Sequence, residues 1–249
     1  MSPRVPDNDQ ELTRDPLFSG RVVLCQPKRG YRFSVDAVLL AHFVAPRQDE
    51  RILDLGTGVG VLPVILSYRR PGIRGVAIEI QPRLAGLAEA NLAANGLAQS
   101  WQVVEDDFRR LAELLPPESF DWVVSNPPYR QAGSSRQNPM AEQAVARHEL
   151  RADLSAVGAA MGHALKPGGR AAIVYPAARL AALLTTFRHY GLEPKRLQIV
   201  YGYPGAEGRL VLVEALKGGG EELEILPPFY IARESGGKYT PEMASCYRP

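Results

Sequence analysis

The sequence predicts an α/β fold: a doubly wound, mostly parallel seven-stranded sheet with an antiparallel edge strand, preceded by an N-terminal hairpin and helix extension. Three observations lead there. From position 51 onward, apolar runs of strand length alternate with stretches of helical periodicity. Those runs are apolar on both faces, as strands covered by helices on two sides require. The last two strands have no helix between them, which implies a hairpin at the sheet edge.

Taken in order, the first 15 residues are polar and read as a flexible tail by composition. Residues 16–47 make the extension. RVVLCQPKRGYRF (21–33) alternates in polarity around a glycine turn, the pattern of a hairpin. SVDAVLLAHFVA (34–45) opens with Ser34 and Asp36 and then runs apolar at helical spacing. Residues 48–249 make the main domain. Its first strand, RILDL, ends in glycines and opens the helix VGVLPVILSYRR. IRGVAIEI (73–80) is a second strand, and the helix after it has Pro82 at its start and Gly96 at its end. WQVVEDD (101–107) is a third, followed by a short acidic helix to Leu115, and FDWVVSNPPY (120–129) is a fourth. The loop 130–148 is long for a compact domain, and loops of that length are often functional. A helix with a glycine stop, the strand RAAIVYP (170–176), the helix AARLAALLTTFRHYG and the strands PKRLQIVYGYP and RLVLVEAL complete the pattern.

Composition narrows the function classes. With 249 residues and 45% of them hydrophobic, the chain can bury a sizeable core. No apolar run approaches the ~20 residues of a membrane span. The polar, acid-bearing N-terminus resembles neither a secretory signal nor a transit peptide. Cys25 and Cys246 lack metal-ligand spacing and read as free thiols of a reducing, cytoplasmic compartment, with no metal and no membrane partner. The net charge of +2 means that any contact with nucleic acid has to come from a local basic patch.

The glycine loop DLGTGVG (54–60) ends the first strand of the main domain and opens a helix, where glycines let backbone approach a ligand and the helix start offers N–H groups. Acids refine that reading. Asp54 precedes the glycines, where a pyrophosphate would be repelled but a cationic ligand would be welcome. Glu79 closes the second strand, where a carboxylate can accept both hydroxyls of a ribose, in a nicotinamide enzyme as well as in others. Asp107 closes the third beside Phe108, together suited to the amino group and ring of an adenine. Strand ends of a doubly wound sheet line one crevice, so the three acids belong together.

Asn126-Pro127-Pro128-Tyr129 ends the fourth strand beside that crevice. The prolines fix a stiff turn with free carbonyls. The Asn126 side-chain carbonyl and the Pro127 backbone carbonyl make two acceptors at fixed spacing, which suits an –NH2 group with two donors. Holding both N–H bonds out of plane localises the nitrogen lone pair for in-line attack, and Tyr129 offers a flat face for the acceptor's ring or amide.

The glycine loop with its three acids, over roughly 48–215, resembles the class I S-adenosylmethionine methyltransferases, a Rossmann-like fold. The resemblance implies that cofactor, held by Asp54, Gly56, Gly58, Glu79, Ile80, Asp107, Phe108 and Asn126. EDDF (105–108) carries an extra acid, leaving Asp106 beside Asp107 as the third ligand. The NPPY motif resembles methyltransferases of adenine N6 or of glutamine side-chain nitrogen, and by itself does not choose between them. Three basic clusters favour RNA: Lys28, Arg29, Tyr31, Arg32 and Phe33; Arg130, Arg136, Arg147 and His148; Lys195 and Arg196. The segment RFSVDAVLLAHF, the loop and helix DLGTGVGVLPVILS, NPPY, and NPM…ARHEL (138–150) together are similar to the bacterial tRNA (adenine-N6)-methyltransferases that act beside a valine-tRNA anticodon. That likeness implies an adenine extruded against Tyr129, with Asn126, Pro127 and Tyr129 catalytic. It implies substrate contacts from Phe33, Pro128, Arg147 and His148, tRNA as partner, and a monomer or weak homodimer. A protein glutamine N5-methyltransferase, a nicotinamide-dependent oxidoreductase and a catalytically silent RNA-binding relative are the competing expectations.

Overall fold

The computed structural model describes residues 12–29, 32–127 and 154–248. The chain opens with an antiparallel hairpin of β1 (Leu12–Leu17) and β2 (Val22–Pro27). This differs from the expected register. Residues 12–15, assigned to the tail by composition, are strand, and the turn lies at Phe18–Arg21 instead of Gly30, which lies outside the described residues. The reason is polar pairing. Asp15 accepts from Thr13, from Gln26 at 2.6 Å and from Arg32 at 3.2 Å, so a charged strand gains partners that no apolar periodicity announces.

Helix α1 (Val35–Phe43) is capped by Ser34, whose Oγ accepts from the Asp36 N–H at 3.4 Å. The main domain then runs β3 (Arg51–Leu55), α2 (Val61–Arg69), β4 (Arg74–Glu79), α3 (Pro82–Ala94), β5 (Trp101–Glu105), α4 (Leu111–Leu114) and β6 (Phe120–Ser125). Helix α5 is described over 154–164. It is followed by β7 (Leu165–Pro176), α6 (Leu180–His189), β8 (Leu192–Tyr201) and β9 (Gly208–Lys217). No described helix is long and apolar enough to cross a membrane.

The seven expected strands form one sheet in the order β8-β9-β7-β6-β3-β4-β5. The hairpin edge is present, and its antiparallel member is the inner strand: β9 runs against both β7 and β8, so β8 points the same way as β3 and β6. Two short strands join β8 in parallel, β10 (Glu224–Ile225) and β11 (Phe229–Tyr230), before α7 (Pro241–Ser245). One apolar layer lies between the sheet and α1, α2, α3 and α7, with Leu40, Ile65, Leu87 and Met243 in it; the other packs α5 and α6 through Val157, Met161, Leu183 and Phe187. Burial of these side chains, each contributing ~1.5–3 kcal/mol, holds the strand ends rigidly in one row. That row is where the site lies.

Candidate functional site

Strands β3, β4 and β6 pair in parallel register, Leu55 with both Ile78 and Ser125, so their carboxyl ends open on one crevice. The floor is tied across strands. The Ser125 hydroxyl donates to the Leu55 carbonyl at 2.9 Å, and the N–H groups of Gly56 and Thr57 both donate to the Ile78 carbonyl at 2.9 Å. Gly60 takes φ +81°, and a Cβ there would stand 3.3 Å from Ala88 of α3, which explains glycine where the loop turns into α2.

Asp54 is the anomaly of this crevice. It is fully buried, and neither carboxylate oxygen has a hydrogen-bond partner among the described residues. Burial pushes its pKa up to about 7, the nearby Glu79 adds to the rise, and Thr57 opposes it. The Thr57 hydroxyl is likewise buried with no hydrogen-bond partner of suitable distance and angle among the described residues. A buried, unsatisfied carboxylate costs stability, so it marks a place shaped for hydrogen-bond donors or positive charge brought by a ligand. Sequence reasoning passed over Thr57, although it stands inside the glycine loop.

Glu79 is buried and held by backbone. One oxygen accepts from the Gly58 N–H and the other from the Gln81 N–H, both at 2.9 Å. Each oxygen keeps a second lone pair for ligand hydroxyls. The same bonds alter the reading of the loop. With the N–H groups of Gly56, Thr57, Gly58 and Gly60 all given to Ile78, Glu79 and Thr57, these amides are not left to cradle a pyrophosphate. The donor supply and the acid at 54 both disfavour a dinucleotide.

Beyond Glu79, the Ile80 side chain is 54% exposed, an apolar side chain left open at the end of β4. Asp107 caps the short turn that follows β5, accepting from the Arg109 N–H at 2.9 Å and from Arg109 Nε at 2.8 Å. Asp106 accepts from Asp107 N–H at 2.7 Å and pairs with Arg110 at 3.2 Å. Both acids therefore have structural duties, and Phe108 packs half-buried against the second apolar layer.

Asn126 follows directly on β6, half-buried, with Pro127 buried beyond it. Pro128, Tyr129, Arg147, His148 and the loop 130–148 lie outside the described residues. Phe33 packs part-buried beside α1, its N–H donating to Gln26 at 2.9 Å. Of the basic clusters, Lys28 and Arg29 are exposed, while Arg32 is tied to Asp15 and the Pro27 carbonyl. Lys195 and Arg196 lie at the start of β8, the strand start expected for them, which is the opposite pole from the crevice. Lys195 donates to the carbonyls of Gly220 and Glu221, and Arg196 to Glu214 at 2.8 Å. A cavity of 470 Å³ at that pole is lined by Trp122, Lys166, Arg170, Arg196 and Glu214.

Comparison with known proteins agrees with this geometry. The methyltransferase small domain family matches residues 34–178. A tRNA1(Val) (adenine(37)-N6)-methyltransferase of Porphyromonas gingivalis is 33% identical over 189 residues, covering 74% of this chain and 73% of the relative. The protein of the same description from Aeromonas hydrophila is 30% identical, covering 75% and 77%. Among solved structures, a predicted O-methyltransferase of Agrobacterium tumefaciens superimposes with a TM-score of 0.69 at 22% identity, covering 85% of this chain and 95% of that one.

Proposed function

The chain belongs to the methyltransferase small domain family, and on that premise we propose that it transfers a methyl group from S-adenosylmethionine to N6 of an adenine in tRNA. It is an enzyme of the transferase class, and relatives covering about three quarters of its length act on adenine 37 of a valine tRNA by their names. One observation carries the reading: a buried carboxylate without a hydrogen-bond partner among the described residues, Asp54, stands on β3 next to the strand whose end bears Asn126 and Pro127.

Bound S-adenosylmethionine supplies an electrophilic methyl group on a sulfonium. The protein's own residues do the rest. Asp54 and Thr57 offer the cofactor buried oxygens that have no hydrogen-bond partner among the described residues. Glu79, fixed by two backbone amides, accepts from ribose hydroxyls, while Ile80 and Phe108 flank the adenine ring of the cofactor, with Asp107 or Asp106 at its amino group. Gly56 and Gly58 let the backbone pass close beneath. Asn126, at the end of β6, borders this wall, its side-chain amide being turned to the acceptor's use.

At the acceptor, the Asn126 side-chain carbonyl and the Pro127 carbonyl take the two N–H bonds of the target amine. The nitrogen lone pair is thereby freed from the ring and aimed in line with the methyl group. Once alkylated, the nitrogen is strongly acidic and sheds a proton without a dedicated base. Tyr129 and Pro128 stack on the extruded base, Phe33 borders the pocket, and Arg147 and His148 take the RNA backbone.

The test is nucleoside mass spectrometry on tRNA incubated with enzyme and labelled S-adenosylmethionine. N6-methyladenosine is the expected product. Label found only on protein glutamine would replace the acceptor, and preferential binding of a nicotinamide cofactor in calorimetry would replace the enzyme class.

A further inference from the structure

The C-terminal segment after β9 has no part in the reading above, yet it is built onto the same pole of the sheet as the crevice. Strand β11 pairs with the last two residues of β8, Phe229 with Val200 and Tyr230 with Tyr201. The N–H groups of Ile231 and Ala232 continue that pairing to the carbonyls of Tyr201 and Gly202 at 3.0 and 2.8 Å. Ala232 then bridges Tyr239, closing a turn, RESGGK, that carries Arg233 and Lys238 at its two feet. These face each other across the backbone, Arg233 N–H donating to the Lys238 carbonyl at 3.1 Å. Behind the turn, Thr240 anchors the chain: its hydroxyl donates to the Tyr230 carbonyl at 2.7 Å and accepts from the Met243 N–H at 3.1 Å.

The turn is thus rigid at its base, and what it displays is unusual. Tyr239 is 49% exposed, one of four large apolar side chains left so open among the described residues. Its ring lies within 6° of parallel to that of Tyr247, with centroids 6.0 Å apart. Arg233 and Lys238 are exposed beside it, against the single acid Glu234 within the turn. A pinned aromatic face flanked by two cations matches a stacked base with its adjoining phosphates. From β6 to β11, which carries the turn, the sheet crosses four strand spacings, roughly 19 Å, so the turn lies one short stretch of single strand away from the crevice.

We propose that the turn at 232–239 is an RNA docking element, in which Arg233 and Lys238 take phosphates of the strand leaving the crevice and Tyr239 stacks on one of its bases. This rests on the RNA reading of the acceptor and adds where the strand runs.

The experiment uses the full chain with a tRNA transcript, comparing Tyr239→Ala, Tyr239→Phe and the double change Arg233→Glu with Lys238→Glu. Tyr239→Ala and the double change should raise KM for tRNA about tenfold or more, with kcat and the cofactor Kd unchanged, and Tyr239→Phe should stay near the starting protein. The double change should also flatten the salt dependence of tRNA binding by about one unit of log–log slope, which lost folding would not do. Unchanged KM and slope, or an equal loss of cofactor affinity in every variant, would overturn the docking role. If the starting protein binds tRNA with these sensitivities but transfers no methyl group to it, the acceptor reading fails and the docking element stands. If it binds no RNA, both fall.

Discussion

Asn91 holds Cys25 from both sides: its Oδ1 accepts from the Cys25 N–H at 2.7 Å and its Nδ2 donates to the Cys25 carbonyl at 2.9 Å. One turn later on α3, Asn95 repeats the pattern on Val23, accepting at 3.2 Å and donating at 2.9 Å. Four helical residues rise ~6 Å and two strand residues ~6.8 Å, so two side-chain amides on one helix face serve as the missing neighbour strand for β2. Asn91 Nδ2 also donates to Val59 in the glycine loop at 2.8 Å, which makes this residue a link between the N-terminal hairpin and the cofactor crevice.

Asn91→Ala should therefore do two things. It leaves buried backbone groups of Cys25 and Val59 unsatisfied, and stability should fall by about 3 kcal/mol in urea unfolding. It also frees the glycine loop, so the Kd for S-adenosylmethionine should rise. Asn95→Ala removes bonds to Val23 of β2 and to the Asn91 carbonyl but none to the glycine loop, and should lower stability with no change in that Kd. Equal effects of the two on cofactor binding would disprove the link.

Asp54 makes folding and binding respond oppositely to pH. Its pKa is raised from 3.8 to about 7 in the folded, cofactor-free chain. Below both values each state holds the proton. As pH rises from about 4 to about 7, the unfolded chain gives it up and the folded chain keeps it, so stability falls across this window and stays reduced above it. Asp54→Asn abolishes that term and should melt higher than the starting protein at pH 8 while matching it near pH 4. Affinity for the sulfonium cofactor should rise through pH 7 in the starting protein, as the carboxylate ionises. In the asparagine variant it should be weak and flat.

Much of this was legible in the sequence because the sheet is written in runs with one period. Leu53, Ile78 and Val123 are apolar on buried strands whatever their neighbours, and Asp54 and Glu79 stand out at strand ends for the same reason. The parts that escaped depend on pairings between distant residues. Residues 12–15 became strand through Gln26 and Arg32. Strands of two residues separated by Pro227 and Pro228 have no period to detect, so β10, β11 and α7 went unseen. Arg196 counts by sequence among the basic clusters that favour RNA, and its partner Glu214, 18 residues on, ties it at the far pole instead.

The opposite pole of the sheet supplies a control. Glu214 is buried and receives both Arg170 and Arg196, the latter at 2.8 Å. The two guanidinium groups lie over Trp122 and Phe43, at 6.0 and 4.9 Å from the ring centres. Glu214→Ala removes the buried carboxylate that both partly exposed cations share, leaving Arg196 its longer contact with Glu224 at 4.0 Å, and should cost about 1–2 kcal/mol of stability. Because the cluster is at the start of the strands, the cofactor Kd and the KM for tRNA should not change at temperatures where the variant remains folded.

The last prediction separates holding the acceptor from positioning the holder. Asn126 directly follows Ser125, whose hydroxyl is bonded to the Leu55 carbonyl at 2.9 Å, so the end of β6 is braced against the strand that carries Asp54. Asn126→Ala removes one of two acceptors for the target amine and leaves the brace, and kcat should fall by roughly 100-fold or more, with cofactor Kd within about twofold. Ser125→Ala keeps the acceptor and removes the brace. A displacement well under an ångström at a reacting centre is enough to slow an in-line transfer, so kcat should fall by about tenfold, again at constant cofactor Kd. Single-turnover methyl transfer with calorimetric cofactor titrations reads both quantities. A loss of cofactor binding in Asn126→Ala that matches its loss of turnover would move this residue from the acceptor to the cofactor, and the Ser125 brace would then have nothing at the acceptor to position.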